Sequence, residues 1–405
     1  MLGGTRTGQD DAGRRPCPIR LLTVAGTRPE AIKIAPLAIA ARLRPRFSHH
    51  ILATGQHDAL FDVALADFGL AAAARLAAVL RDPDPDIMVR RLAAAIAPQL
   101  AAARPDMVLV QGDTSSAYAA ALAADGQDIP VGHVEAGLRS FDFTRPWPEE
   151  RNRVAIDRIA TLLFAPTPES AANLAHDPEA TGDVLITGNT GIDALLLMRD
   201  RLPAPPRPAR DTPALILLTC HRRESIGAGI EGICAAVLRI AAREDVMILC
   251  PVHANPAIGE TVRARLGGHP RITLTGALSY RDAVAAMASA RLILTDSGGI
   301  QEEAPALGTP ALVLREVTER PEGLASGNLA LVGTDPDRVA AAAIRLLDDP
   351  RAHARMARPA FPFGDGRAAE KILDGIEQYF SSVRLPSPSL RFAPISIMDA
   401  GREGA

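Results

Sequence analysis

"RLILTDSGGIQEEAPALGTPALVL", residues 291–314, is the stretch on which the fold turns. A short apolar run, Leu292 to Leu294, ends at Asp296, Ser297 and two glycines, Gly298 and Gly299. A helical stretch follows, and after Gly308 a second apolar run, "TPALVL", begins. Strand, tight turn, helix and strand in that order form a crossover unit with parallel strands. Strands apolar at every position are buried on both sides, so helices must cover both faces of the sheet.

The rhythm repeats along the chain. "IRLLTVAG" (19–26) leads into "RPEAIKIAPLAIAARL" (28–43), and "DMVLVQGD" (106–113) leads into "TSSAYAAALAAD" (114–125). The proline-dense "DRLPAPPRPARDTP" (200–213) reads as a linker between two halves of similar plan. In each half a strand ends in an aspartate, "LVQGDTSSA" and "ILTDSGGIQ". The expectation is an α/β protein with two Rossmann-like domains, 18–199 and 214–365, facing each other across a cleft. A closing helix at 366–384 packs back on the first domain, and 1–17 and 385–405 are flexible tails. Ligands of such sheets sit at the C-terminal strand ends.

Composition bounds the function. The 405 residues are 47% hydrophobic and 22% charged, enough apolar mass for two cores. A formal net charge of −3 argues against a general nucleic-acid binder. Cys17, Cys220, Cys234 and Cys250 show no C-x-x-C pairing, and no cluster has metal-ligand spacing, so no disulfide frame and no metal are expected. The first residues lack the apolar core of a signal peptide, and no apolar run is long enough to span a bilayer. A reduced, cytoplasmic protein is expected.

Candidate site residues cluster at the strand ends. Pro29 stands at a first helical position with Glu30 in the first turn, which puts Arg28 at a helix mouth and Lys33 just inside. Such a mouth can receive phosphate, although a capped helix with solvated cations fits equally well. At Ser297, Gly298 and Gly299 the paired glycines let the backbone approach an oxygen-rich ligand, and Glu303 is placed to accept from a ribose diol. The plain alternative is a tight turn with an exposed "QEE" face. His221 ends another strand, beside Arg222, and can protonate or pair with a departing phosphate. Cys220 points to the opposite face and reads as core; His253 reads as a loop histidine.

"HVEAGLRSFDFTRPWPEERNR" (133–153) concentrates ionisable groups after the apolar "IPVGHV". Glu135 should point near Asp113, itself a natural helix cap, and Glu149 follows a stiff proline loop. Three carboxylates in one cleft repel one another and lose solvent, which raises carboxylate pKa values toward neutrality. Arg151 and Arg153 fall on the polar face of the helix that follows.

Taken in order, "GTRPEAIKIAPL", "QGDTSSA", "GHVEAGLRS", "PWPEERNR", "ITGNTGIDAL", "HRRES", "PVHANP", "DSGGIQEEAPALGTP" and "TERPEG" resemble the non-hydrolysing UDP-N-acetylglucosamine 2-epimerases, across about residues 19–380. The resemblance implies a glycosyltransferase-B-like fold and interconversion of UDP-GlcNAc and UDP-ManNAc. It also implies no metal or nicotinamide cofactor, and a homodimer that commonly serves surface-polysaccharide synthesis. By the same resemblance, Asp113, Glu135, Glu149 and His221 match positions of catalysis or substrate binding, with base and acid unassigned. Arg28, Lys33, Ser297, Gly298, Gly299, Glu303 and Arg320 match substrate contacts. Gln56, Arg222 and His253 match positions that hold an activating second UDP-GlcNAc in some members. Leu278 and Ala283 replace a frequent glutamine and aromatic residue, which leaves uracil to backbone groups or Tyr280. Ala59 replaces a polar residue beside the activator position. A hydrolysing epimerase, a glycosyltransferase of the same fold and a nucleotide-sugar sensor are the rival readings.

Overall fold

The computed structural model describes residues 17–56, 58–76, 82–203, 212–220, 226–253 and 255–382. The expected tails (apart from Cys17 and nothing else of 1–17), most of the 200–213 linker, His221 and Arg222 lie outside them.

The first sheet holds β1 (Ile19–Ala25), β2 (Phe47–Ala53), β3 (Ala74–Arg75), β4 (Met107–Gln111), β5 (Val131–Val134), β6 (Leu162–Ala165) and β7 (Asp183–Ile186). Its helices are α1 (Arg28–Arg42), α2 (Asp58–Asp67), α3 (Pro85–Ala103), α4 (Ser115–Asp125), α5 (Glu149–Ile159), α6 (Pro168–Ala175) and α7 (Thr190–Arg201). The second sheet holds β8 (Ala214–Thr219), β9 (Val246–Pro251), β10 (Ile272–Thr275), β11 (Leu292–Thr295), β12 (Ala311–Val313) and β13 (Leu329–Leu331). Around it lie α8 (Ala228–Ala241), α9 (Pro256–Leu266), α10 (Tyr280–Ser289), α11 (Gly298–Leu307), α12 (Pro321–Ala325), α13 (Pro336–Asp348) and α14 (Pro350–Met356); α15 (Ala368–Ser382) closes the described chain.

Strand order is β3-β2-β1-β4-β5-β6-β7 in one sheet and β10-β9-β8-β11-β12-β13 in the other. The paired strands are parallel, for example Leu21 to Thr23 against Met107 to Leu109, and Leu292 to Thr295 against Ile216 to Thr219. These are the two Rossmann-like domains that the strand–helix alternation predicts. In each sheet the order reverses at a switch point, between β1 and β4 and between β8 and β11, where a crevice forms beyond the strand ends.

The strands are apolar because they are covered on both faces: Leu21, Val24, Met107, Val108, Leu292 and Ile293 are all fully or almost fully buried. Helix α15 returns to the first sheet. Ala369, Ile372, Leu373, Ile376 and Phe380 join a core with Ile19, Leu21, Leu37, Met107, Leu109 and Phe164. Its first two amides, of Ala368 and Ala369, donate to the Asp193 carboxylate of α7 at 3.1 and 2.8 Å. Asp193 thus caps α15 from another helix.

Candidate active site

The mouth of α1 is tightly built. Thr27 caps the helix in a capping box, so Arg28 is the first helical residue and Pro29 the second, one place later than the sequence predicts. Glu30 is buried and turned back into the mouth. Its carboxylate accepts from the amides of Gly26 (3.0 Å) and Thr27 (2.7 Å) and from the Thr114 hydroxyl (2.7 Å). Burial raises its pKa, while these donors oppose the rise. Gly26 cannot be replaced here, because a Cβ would stand 2.0 Å from Thr54 Oγ1 and 2.7 Å from Ser116 Oγ. Arg28 reaches across the crevice and donates to the Leu278 carbonyl at 2.6 Å.

Behind Arg28 runs a chain of charges. Glu135 follows β5 in the left-handed region, φ 71°, a conformation that a non-glycine residue holds only when its surroundings enforce it. Its carboxylate accepts from Lys33 Nζ at 2.7 Å through both oxygens, and from Gln111 at the end of β4. Lys33 also faces Glu302 of the second domain at 4.0 Å. Glu302 accepts from Arg320 Nε at 2.9 Å and from Asn189 Nδ2 at 3.0 Å. Burial opposes the charge on Lys33, yet Glu135 and Glu302 hold its pKa above the ordinary ammonium value. Arg320 is held up likewise, against burial, by Glu302 first among its partners.

Ser297 is the N-cap of α11, and its amide donates to Thr295 Oγ1 at 3.0 Å. Gly298 is buried, Gly299 is exposed, and a Cβ on Gly299 would meet only Ser297 Oγ, at 4.0 Å. One turn on, Glu302 and Gln301 are buried, so the "QEE" stretch is not an exposed face. Glu303 is half-buried, and its carboxylate accepts from the Tyr280 hydroxyl at 2.9 Å. Burial pushes Glu303 up to about 7; the Tyr280 hydroxyl opposes this, and neighbouring Glu302 adds to it. Tyr280 is itself buried, 5% exposed, with its amide bonded to Asp67 Oδ2 at 3.2 Å. Of the two routes expected for uracil, backbone groups or Tyr280, the second is engaged within the protein: the Tyr280 ring packs against Phe68 and its hydroxyl donates to Glu303.

Asp113 and Glu135 do share a corner. A Cβ on Gly112 would lie 3.9 Å from Glu135 Oε2, so the Glu135 carboxylate sits against the Gly112–Asp113 turn. Mutual repulsion is not what governs them, however, because each acid has its own cation: Arg153 pairs with Asp113, as Lys33 does with Glu135. Arg153 consequently turns inward rather than onto a polar face, and also approaches Glu150 at 3.4 Å. Arg151 takes the outer side, paired with Asp86 and lying 4.9 Å above the Trp147 ring. The helix cap expected of Asp113 is supplied by Thr114, whose hydroxyl accepts from the Ala117 amide at 3.0 Å. Glu149 is the half-buried first residue of α5. It stands one turn before Arg153 on the same helix.

Gln56 backs the α1 mouth: it accepts from the Ser116 hydroxyl at 2.9 Å, and a Cβ on Gly26 would stand 3.1 Å from its own. His253 is exposed, and its Nδ1 accepts from the Asn255 amide at 3.2 Å. Cys220 is buried in the second core, where burial pushes its thiol pKa far up. Sequence reasoning missed Gln111, Asn189 and Glu302. Gln111 carried a signal, a lone polar residue ending an apolar strand; Glu302 carried none, since its burial depends on two distant partners.

Residues 40–377 match the family model described as UDP-N-acetylglucosamine 2-epimerase. The chain is 43% identical over 383 residues to the UDP-N-acetylglucosamine 2-epimerase of Salmonella typhimurium, covering 89% of this chain and 99% of that one. It is 40% identical over 367 residues to the Bacillus subtilis protein of the same name, covering 88% and 94%. The Neisseria meningitidis UDP-GlcNAc 2-epimerase, solved bound to UDP-GlcNAc, superposes with a TM-score of 0.81 at 36% identity, covering 89% of this chain and 100% of that one. With that match the two facing Rossmann domains are a glycosyltransferase-B-like fold, and the chain belongs to the UDP-N-acetylglucosamine 2-epimerase family.

Proposed function

We propose that this protein is an isomerase that interconverts UDP-N-acetylglucosamine and UDP-N-acetylmannosamine by eliminating UDP and adding it back. The C2 hydrogen of the sugar is not beside a carbonyl, so no carboxylate removes it directly near neutrality. As the C1–O bond breaks, the pair leaves with UDP and the ring becomes oxocarbenium-like; the C2 proton then turns acidic and passes to a carboxylate. The products are UDP and a 2-acetamidoglucal. Protonation of the opposite face of C2 and return of UDP to C1 give the epimer.

The observation that carries this reading is the chain Glu135–Lys33–Glu302–Arg320, which joins the two domains across the crevice. It supports a diphosphate held between Arg28, Lys33, Arg320 and the Ser297–Gly299 turn, where fixed cations and helix amides stabilise charge that develops on the leaving group. Glu303 is proposed to take the ribose, and Asp113, Glu135 and Glu149 to move the proton, with His221 at the leaving phosphate. Domain closure keeps water from the glucal. A cytoplasmic homodimer supplying a surface polysaccharide belongs to the same proposal, with dimer mass measurable by light scattering.

The test is to incubate the protein with UDP-GlcNAc in D2O and follow the sugar by NMR. Deuterium at C2 together with UDP-ManNAc is the expected result. Free ManNAc would point to hydrolysis, and unchanged substrate to a transferase or a sensor; either sinks the proposal.

A further inference from the structure

Beneath Asp113 and Glu135 lies a buried ionic triad that the proposed chemistry does not use. His133 is the third residue of β5, fully buried, and its Nδ1 lies 2.6 Å from Asp157 Oδ1. Asp157, on α5, is also fully buried; its other oxygen accepts from Arg139 Nη1 at 2.6 Å and from the Gly137 amide at 3.2 Å. His133 Nε2 lies 2.8 Å from the Gly112 carbonyl. A carbonyl only accepts, so Nε2 carries a hydrogen and donates it. A hydrogen must also lie on the line between Nδ1 and Asp157, since two bare lone pairs do not approach to hydrogen-bonding distance.

The two ends of this triad grip two backbone turns. Through His133 it holds the carbonyl of Gly112, the residue before Asp113. Through Asp157 it holds the amide of Gly137, two residues after Glu135. Both turns are otherwise awkward: Gly112 and Gly137 have φ of 67° and 81°, and a Cβ on Gly137 would meet Ser170 O at 2.2 Å. Glu135 between them is itself left-handed. Buried polar groups of this kind are costly unless paired, and paired ones fix one geometry; here both His133 nitrogens and both Asp157 oxygens are paired, while Arg139 Nη2 is buried without a partner. Asp157 belongs to the same helix as Glu149 and Arg153, so one buried carboxylate ties all three acidic positions to a common frame.

We infer that His133, set by Asp157 and Arg139, is a positioning residue that fixes Asp113 relative to Glu135 through the Gly112 carbonyl. The inference rests on the proposed epimerase reading for its kinetic consequence, but the geometry is separately testable. Two variants of similar polarity separate positioning from packing. In His133→Gln the longer amide can place an N–H where Nε2 stood, on Gly112. In His133→Asn the amide reaches Asp157 only. The expected result is that the asparagine variant loses about 100-fold in kcat with KM little changed, as a misplacement of roughly 1 Å costs, while the glutamine variant recovers most of the rate. Hydrogen exchange of the peptide spanning residues 111–116 supplies a readout independent of turnover. Exchange there should speed up in the asparagine variant and stay near wild type in the glutamine variant. Equal rates in both variants, or equal exchange, overturn the inference. A wild-type protein that does not epimerise overturns the proposed function instead, and the exchange comparison then decides the positioning role alone.

Discussion

Glu303 is the side chain whose surroundings shift it most usefully. Its pKa is raised to about 7 by burial, and the carboxyl proposed to hold a ribose diol accepts from both hydroxyls only when ionised. UDP affinity of the wild type is therefore expected to rise with pH through about 7 and to weaken below it. Calorimetric titrations of UDP across that range, with Glu303→Gln as control for titration of the nucleotide itself, check this; a variant with the same pH slope refutes it. Tyr280→Phe removes a donor that lowers the Glu303 pKa, so its midpoint should move upward. Glu135→Gln keeps the shape of the site but removes a proton acceptor beside Lys33. Solvent deuterium incorporation at C2 is expected to fall by about 100-fold or more, the usual scale of a general acid–base group.

At the scale of elements, α15 depends on a residue far from it in sequence. Asp193 is buried, and burial raises its pKa from 3.8 to about 6 despite the donated amides of Ala368 and Ala369. The folded state therefore holds the Asp193 proton more tightly than the unfolded chain. Its contribution to stability is fully present below pH 3.8 and is lost as pH rises toward about 6. Subtracting the melting curve of Asp193→Asn from that of the wild type should reveal a decline confined to this window; a flat difference contradicts it. On the core side of the same helix, Ile372 is fully buried. Ile372→Ala is expected to cost about 3 kcal/mol by cavity formation, measurable by denaturant unfolding.

For the molecule as a whole, the lobes share an apolar seam, where Ile192, Leu195 and Met198 pack in one cluster with Val284, Met287 and Ala304, and polar contacts join them beside it. Arg28 bonds to Leu278, Tyr280 to Asp67, Asn189 to Glu302, and Lys33 faces Glu302. Glu302 takes part in two of the four and also holds Arg320. Glu302→Ala leaves two cations without their shared acid, and losing one partner of a buried pair costs about 3 kcal/mol or more. The variant is expected to melt earlier and to show a larger radius of gyration in solution scattering, because the lobes repel. An unchanged radius and melting temperature would remove Glu302 from the bridge.

What the sequence determined by itself was local and repetitive. Apolar runs alternating with helical stretches specify parallel, doubly covered sheets, because no other packing hides strands that are apolar on both faces. The strand ends "GTRPE", "QGDT" and "DSGG" mark the loops that meet at the crevice, because glycines, caps and short polar residues stop a strand and start a helix. Pairing was decided only in three dimensions. Glu135 and Asp113 look mutually repulsive in sequence, yet Lys33 lies 102 positions from Glu135 and Arg153 lies 40 from Asp113, and each neutralises its acid. Glu302 looks like surface until Asn189, 113 positions away, and Lys33 of the other domain close over it. Periodicity records which face of an element is apolar, whereas the partner of a buried charge is set by how whole elements pack.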